Sequence, residues 1–289
     1  MTKLFDFFLV KIVIGIAAVG GCIYLSESSR AIWVHLPLSG DQITIIIFAL
    51  DIFLATGTYV LLFRWYEKRP IRELASGNFL RFAAWGFALG LGIQAFAILV
   101  LWLNGGYQVM HSNPVSFLFR GMIPAFTAGF VAEILIRGVL FRLMEEKLGT
   151  ALALVIMMLI FTIAHAGVAG ATVIYLLSVI VQAGLMVSCS YVATRSLWVP
   201  IFIHSALDFA EPTLFGAINP GISVSTPFLS SRVSGAPIWS GGAFGPGHSL
   251  QALILCLLIS FFFLRKAKRD HQIIQPFWVR KRESDAAAA

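Results

Sequence analysis

The sequence predicts an all-α integral membrane protein in which about eight transmembrane helices enclose a polar cavity. Three observations lead to this fold class. Hydrophobic residues make up 58% of the 289 residues, and the mean hydropathy is +0.87. Charged residues make up 12%, against about 25% in an average soluble domain. Ionisable residues nevertheless interrupt several of the apolar runs. These properties exclude a soluble enzyme, a disordered chain and a disulfide-stabilised scaffold.

The apolar runs define the spans, because about 20 apolar residues cross the hydrocarbon core of a bilayer. The first run contains Lys11 and no signal-peptidase site follows it, so we interpret it as a retained helix. The fifth, seventh and eighth runs are short, which indicates helices buried among their neighbours. The predicted spans are Phe7–Leu25, Ile43–Phe63, Phe82–Leu103, Val115–Leu140, Ala151–Ala166, Thr172–Tyr191, Leu197–Phe209 and Leu250–Leu264.

Basic residues predict the orientation, because cytoplasmic loops carry the excess of Lys and Arg. With a cytoplasmic N-terminus and eight spans, all but four of the 21 basic residues lie on the inner side. The exceptions are Arg30, Arg120, Arg137 and Arg232. We therefore expect a bacterial inner-membrane protein with both termini in the cytoplasm. The net charge of +7 is then explained by topology and gives no reason to expect nucleic acid as a partner.

The chain is predicted to form one membrane domain over residues 1–285. The alanine-rich tail at 286–289 has the character of a cloning remnant. The single long loop, residues 211–247, lies on the outer side and is rich in Gly, Pro and Ser, so irregular structure is expected there. The three cysteines all fall in predicted spans and fit no zinc or disulfide pattern.

Ionisable residues at membrane depth are costly, so each one in a span is a functional candidate. Residues four apart share a helix face, so the pairs in the fourth and seventh spans can interact. A polar cavity that opens to the cytoplasm would accommodate the groups of the fourth, fifth and seventh spans. The candidates are Glu133 and Arg137 in the fourth span, His165 in the fifth, His204 and Asp208 in the seventh, and Asp51 in the second.

Each candidate also has a structural explanation. Glu133 and Arg137 alone could be an ion pair that fixes helix packing. His165 alone is more often an interhelical hydrogen-bonding residue than a catalyst. Asp51 is expected to cap a neighbouring backbone or to pair with an arginine, and has no chemical role here. The remaining histidines are interpreted as surface residues: His35, His111, His248 and His271. As a set, the polar groups of three spans favour function, either catalysis or a proton path in a transporter.

Three segments in this order resemble the motifs of the CAAX-protease and bacteriocin-processing family of intramembrane endopeptidases, also called the Abi family. Its first motif is Glu-Glu-x-x-x-Arg, its second Phe-x-x-x-His, and its third His-x-x-x-Asn or Asp. The second motif is present as Phe161 and His165, and the third as His204 and Asp208. The resemblance covers about residues 115–210. The first motif departs from the pattern, because Ala132 stands where its first Glu is expected, before Glu133 and Arg137.

The resemblance implies an endopeptidase that hydrolyses a peptide bond within the membrane. In the family the first Glu and the His of the second motif activate a water, so the present chain is expected to be inactive because of Ala132. His204 and Asp208 would face the developing oxyanion, and Glu133 with Arg137 would be a supporting pair. An ionised Asp208 cannot donate to an oxyanion, so it must be protonated or must orient His204. Ala132 is either an engineered substitution, which we favour, or the mark of a natural pseudoprotease that binds peptides without cleaving them.

Metal dependence and substrate stay open at this point. Glu133, His165, His204 and Asp208 are candidate ligands for a divalent metal such as zinc. The chain contains no His-Glu-x-x-His zinc signature, and no Gly-x-Ser-x-Gly for a serine nucleophile. The resemblance implies a peptide or membrane-protein substrate in the lipid bilayer, with either a prenylated C-terminus or a peptide leader.

Overall fold

The computed structural model describes residues 7–217 and 227–288, and these residues are mostly helical. Six helices are long and apolar enough to cross a membrane, which confirms the all-α membrane fold. The helices of ten or more residues are α1 Phe8–Trp33, α2 Gly40–Tyr66, α3 Phe79–Leu103, α4 Ser116–Leu148, α5 Thr150–Ala166, α6 Val173–Thr194, α7 Trp198–Phe209, α8 Leu250–Arg269 and α9 Phe277–Ala288. The six candidate spans among them are α1 to α4, α6 and α8.

Two of the predicted spans are shorter helices. α5 has 17 residues and α7 has 12, so the predicted number of eight spans stays a prediction. α7 is enclosed by its neighbours: Val199, Ile201 and Ile203 are fully buried. α7 thus meets the expectation that the short runs lie inside the bundle. The fifth and eighth runs do not: Leu159 and Ile163 of α5 are exposed, and α8 is a helix of 20 residues with an exposed apolar face that includes Phe262. α9 runs into the alanine-rich tail as far as Ala288, while Lys3 and Ala289 lie outside the described residues.

Glycines in α3 and α4 allow α7 to pack closely between these two helices. A Cβ atom added at Gly90 of α3 would lie 2.6 Å from the carbonyl oxygen of Ile203. A Cβ atom added at Gly129 of α4 would lie 2.7 Å from the backbone nitrogen of Ser205. Glycine at these points lets the three backbones approach closely, as is usual where membrane helices pack. The approach brings the polar face of α7 against that of α4.

Three helical segments form π-helix, and each of them contributes a residue to the cavity that the polar face of α7 lines. They are Ile134–Phe141 within α4, Ile180–Met186 within α6 and Ala210–Leu214, which continues α7. π-Helical turns are rare and occur frequently at functional sites, because they shift the side chains that follow them. The helical periodicity of the sequence did not predict these turns.

A two-stranded antiparallel sheet covers part of one end of the bundle and was not predicted. Strand β1 is Tyr107–Ser112 and strand β2 is Leu229–Val233, paired from Tyr107 opposite Val233 to Ser112 opposite Leu229. The predicted irregular loop 211–247 therefore contains regular structure in its described part. Residues 218–226 of that loop lie outside the described residues.

At the end of the bundle away from the sheet, ion pairs join the loop that follows α2 to α4. Arg69 donates to Glu73 (Nη2 to Oε1, 2.7 Å) and to Glu67 (Nε to Oε2, 2.8 Å), and Arg142 of α4 lies 2.9 Å from Glu67. Tyr59 of α2 also donates to Glu73. Burial alone would raise the pKa of Glu73, but the hydrogen bonds from Arg69 and Tyr59 outweigh it and hold that pKa below its ordinary value.

Candidate active site

The polar residues predicted in the fourth, fifth and seventh runs converge on one cavity of about 250 Å³. α4 contributes Glu133 and Arg137, α5 contributes His165, and α7 contributes His204 and Asp208. The expected intramembrane polar cavity is therefore present. Arg142 and Arg195 mark the basic ends of the helices. The residues that line the cavity lie between the middle of the helices and the opposite ends.

Glu133 and Arg137 form a buried ion pair one helical turn apart. The Arg137 Nη1 donates to Oε1 of Glu133 at 2.8 Å, and the two side chains are 1% and 0% exposed. Arg137 also donates to the carbonyl oxygen of Ala183, in the π-helical turn of α6, and its guanidinium lies 5.3 Å from the ring centre of Phe161. A charge this deeply buried is tolerated only with such partners, so Arg137 links three helices around the cavity.

His204 lies between two carboxylates. Its Nδ1 is 2.7 Å from Oε1 of Glu133, and its Nε2 is 3.4 Å from Oδ2 of Asp208. A carboxylate oxygen accepts hydrogen bonds, so each ring nitrogen of His204 has an acceptor placed for an N–H group. The arrangement suits a ring that acts as an N–H donor at the cavity wall. The contact with Asp208 follows from the i,i+4 spacing, whereas the contact with Glu133 crosses between helices.

His165 has a different environment, and its geometry defines its tautomer. Its Nδ1 lies 2.9 Å from the carbonyl oxygen of Phe161, one turn earlier in α5. A carbonyl cannot donate, so Nδ1 carries the proton and Nε2 of the neutral ring keeps a free electron pair. His165 is therefore arranged as a base. The Phe-x-x-x-His spacing thus places a carbonyl acceptor under the histidine.

Several cavity residues lie outside the three motif segments and were missed. Gln94 of α3, Tyr175 of α6, Glu211 and His248 all line the cavity. The interpretation of His248 as a surface residue is wrong, because its ring packs against Tyr175 and its Nδ1 lies 2.8 Å from Oγ of Ser178. No local pattern marks His248 apart from the Gly245-Pro246-Gly247 turn before it. The other three histidines, His35, His111 and His271, are exposed as expected.

Ala132 and Asp51 do not contribute to the cavity wall. Ala132 is half-buried in α4, one residue before Glu133, and is absent from the described lining. Asp51 is fully buried in α2. Within the described residues neither carboxylate oxygen of Asp51 has a hydrogen-bond partner, and the nearby Arg30 pairs with Glu27, so neither the backbone cap nor the arginine pair predicted for Asp51 is formed.

The candidate metal ligands do not form a metal site. In the described part of the chain, no three His, Cys, Asp or Glu side chains converge as a metal requires. The candidates Glu133 and Asp208 lie instead on opposite sides of the His204 ring. The residues present thus do not fit a zinc ion, and the chemistry below uses none.

Comparison with known proteins identifies the segment that holds these motifs. Residues 114–210, about a third of the chain, match the family described as Type II CAAX prenyl endopeptidase Rce1-like. The match confirms the resemblance predicted for residues 115–210, and it runs from just before α4 to the end of α7. No curated protein and no solved structure matches the chain. Gln94, Glu211 and His248 lie outside the matched segment.

Proposed function

We propose that the cavity is the active site of a CAAX-type intramembrane endopeptidase in which a water attacks the peptide bond. One observation carries the proposal. The same cavity holds a histidine whose Nδ1 contacts a backbone carbonyl and leaves Nε2 without a partner, His165, and a histidine flanked by two carboxylates, His204. The first suits a base and the second suits a donor to negative charge, and hydrolysis of a peptide requires both.

His165 is the residue that accepts a proton from the attacking water. The carbonyl oxygen of the substrate becomes an oxyanion, and Nε2–H of His204, whose contact with Asp208 is long at 3.4 Å, turns its hydrogen bond to the oxyanion. Glu133 holds the other nitrogen of His204 at 2.7 Å, and Arg137 holds Glu133. Asp208 then acts by orienting and charging His204, the second of the two roles that its acceptor chemistry allows.

Ala132 makes the present chain a poor catalyst on this account. The resemblance assigns the activation of water jointly to a glutamate at position 132 and to His165. Loss of one acid–base group costs roughly 10²–10⁴-fold in rate. We therefore propose that the present chain is nearly silent and that Ala132→Glu raises its activity by a factor in this range.

The side of the membrane on which the cavity lies limits which substrates can reach it. We propose that the basic helix ends face the cytoplasm of a bacterial cell, with both termini there, in accord with the charge distribution. The cavity then lies in the outer half of the membrane, contrary to the expectation that it opens to the cytoplasm. A peptide leader or a membrane-protein segment exposed on the outer side fits this location better than a prenylated cytoplasmic C-terminus.

Cleavage and proton transport are distinguished in reconstituted vesicles. The protein carrying Ala132→Glu is tested on two fluorogenic substrates, a farnesylated CAAX peptide and a transmembrane peptide with an outer-side leader, and in parallel with a pH-sensitive dye. We expect cleavage that His204→Asn abolishes, and no proton flux. Proton flux that depends on His204, without cleavage of either substrate, would show a transporter. Crosslinking of a substrate without cleavage would show a peptide-binding scaffold.

A further inference from the structure

The segment Gly241–Ser249, which precedes α8, folds back against the cavity and is held there at several points. Phe244 stacks on Tyr175 of α6 with ring centres 3.8 Å apart. The backbone N–H of Gly247 donates to Oε1 of Glu211 at 2.7 Å. His248 lies at the inner face of this segment, with Nδ1 at 2.8 Å from Ser178. The segment thus brings one titratable ring to the cavity.

Hydrogen bonds define which nitrogen of His248 is basic. The hydroxyl of Ser178 donates its single hydrogen to the carbonyl oxygen of Tyr175 at 2.7 Å. Nδ1 of His248 must therefore be the donor to Ser178, and Nε2 of the neutral ring keeps a free electron pair. His165 and His248 consequently have the same tautomer and line the same cavity.

A buried carboxylate fixes the position of this segment. Glu211 is 1% exposed and accepts from Gly247, while Nε2 of Gln94 lies 3.4 Å from its second oxygen. A Cβ atom at Gly247 would lie 2.6 Å from Nε2 of Gln94 and 2.9 Å from Oε2 of Glu211, so the turn sits directly on this pair. Burying a carboxylate is costly unless it is hydrogen-bonded. Loss of the contact between Gly247 and Glu211 would therefore be costly, and this contact fixes the position of the neighbouring His248.

We propose that His248 is a second catalytic base, which holds the attacking water together with His165. The inference rests on the proposed peptidase function and adds to it a residue outside the segment that matches the family. A water that donates one hydrogen bond to each Nε2 presents its electron pair to the substrate carbonyl. Position 132 offers no acceptor in this chain, so His248 is the second acceptor that sustains its residual activity.

The protons balance with two bases. The water oxygen bonds to the carbonyl carbon, Nε2 of His165 takes one proton, and the electron pair of the C=O bond moves to the oxygen that faces His204. The electron pair of the oxyanion then re-forms the C=O bond while the C–N bond breaks with its electron pair on nitrogen, and His165 returns the proton to that nitrogen. Nε2 of His248 takes the remaining proton of the water, so that the new C-terminus leaves as a carboxylate, and passes it to the freed amine.

The test compares His248→Asn in two backgrounds, the present chain and the chain carrying Ala132→Glu. Asparagine keeps a donor for Ser178 near the Nδ1 position but removes Nε2. In the present chain we expect the residual kcat to fall at least tenfold with KM unchanged. With a glutamate at position 132 the loss should be smaller, because that carboxylate replaces the acceptor. His111→Asn, a change at an exposed histidine of β1, is the matched control.

Equal rates for His248→Asn and His111→Asn in both backgrounds would overturn the proposal while leaving the peptidase function intact. A chain carrying Ala132→Glu that cleaves neither substrate would overturn the peptidase function itself. In that case labelling with diethyl pyrocarbonate, which reacts with unprotonated imidazole nitrogens, decides whether His248 offers a free Nε2 to the cavity. Modification of His248 at neutral pH supports this placement, and an unmodified His248 beside a modified His111 contradicts it.

Discussion

Nδ1 of His204 in α7 lies 2.7 Å from Oε1 of Glu133 in α4, although 71 residues separate them in the chain. The same carboxylate oxygen accepts from Arg137 at 2.8 Å. Glu133 therefore connects the structural ion pair of α4 to the histidine that faces the substrate in the proposed mechanism. A change at Glu133 is expected to affect both stability and catalysis.

Glu133→Gln should destabilise the protein strongly. It leaves Arg137 buried without a charged partner, and breaking a buried ion pair in this way costs about 3–5 kcal/mol. The midpoint of thermal unfolding in detergent measures the effect. Arg120→Gln is the control, because Arg120 pairs with Asp41 in an ion pair whose side chains are 66% and 64% exposed. Such a pair contributes about 0–1 kcal/mol, so equal shifts for the two variants would contradict this account.

Gly90→Ala should disturb the contact between α3 and α7. The new methyl group would lie 2.6 Å from the carbonyl oxygen of Ile203, so the helices must separate. Overpacking of this kind costs about 1–3 kcal/mol. Gly92→Ala on the same helix is the matched control, since no other group lies within 4 Å of a Cβ atom there. Both unfolding midpoints are compared, and a loss for Gly92→Ala as large as that for Gly90→Ala would refute the packing argument.

The stability of the protein should depend on the ionisation of Glu73. Its pKa in the folded protein is lower than the ordinary value of 4.5, so its contribution is complete above pH 4.5 and is lost as the pH falls through the lower folded pKa. Glu73→Gln removes this contribution at neutral pH and should flatten the dependence of the unfolding midpoint on pH between about 6 and 3. Glu283→Gln, at an exposed position of α9, should leave the curve unchanged. A curve for Glu73→Gln as steep as that of the parent would contradict the role of Glu73.

The proposed orientation predicts which cysteines react in intact cells. After the native cysteines have been replaced, Ser112→Cys in β1 should react with a maleimide that cannot cross membranes. Ser284→Cys in α9 should react only after the cells are permeabilised. The reverse pattern would place the basic helix ends outside and the cavity in the cytoplasmic half of the membrane.

Helical spacing was sufficient to predict the local parts of this site. The pairing of Glu133 with Arg137, and the approach of His204 to Asp208, follow from residues four apart on one helix. The contact between Glu133 and His204 depends instead on how closely α4 approaches α7, which the glycine at position 129 permits. Periodicity within one helix carries no information about such an approach.

The presence of His248 in the cavity could not be predicted from the sequence either. It enters the cavity from a turn outside the spans, and its placement depends on a hydrogen bond between Gly247 and Glu211. Glu211 in turn follows α7 through a π-helical segment that regular helical periodicity does not describe. The sheet of β1 and β2 was missed for a similar reason, since it joins segments more than 100 residues apart. In each case the determinant is a contact between distant segments.

The initial rate of peptide cleavage in proteoliposomes tests the central claim most directly. It is measured for the present chain, for Ala132→Glu, and for Ala132→Glu combined with His165→Ala, with the two fluorogenic substrates described above. The account predicts that Ala132→Glu raises the rate by about 10²–10⁴-fold and that His165→Ala removes this gain. Cleavage by the Ala132→Glu protein that persists without His165 would contradict the assignment of His165 as the base.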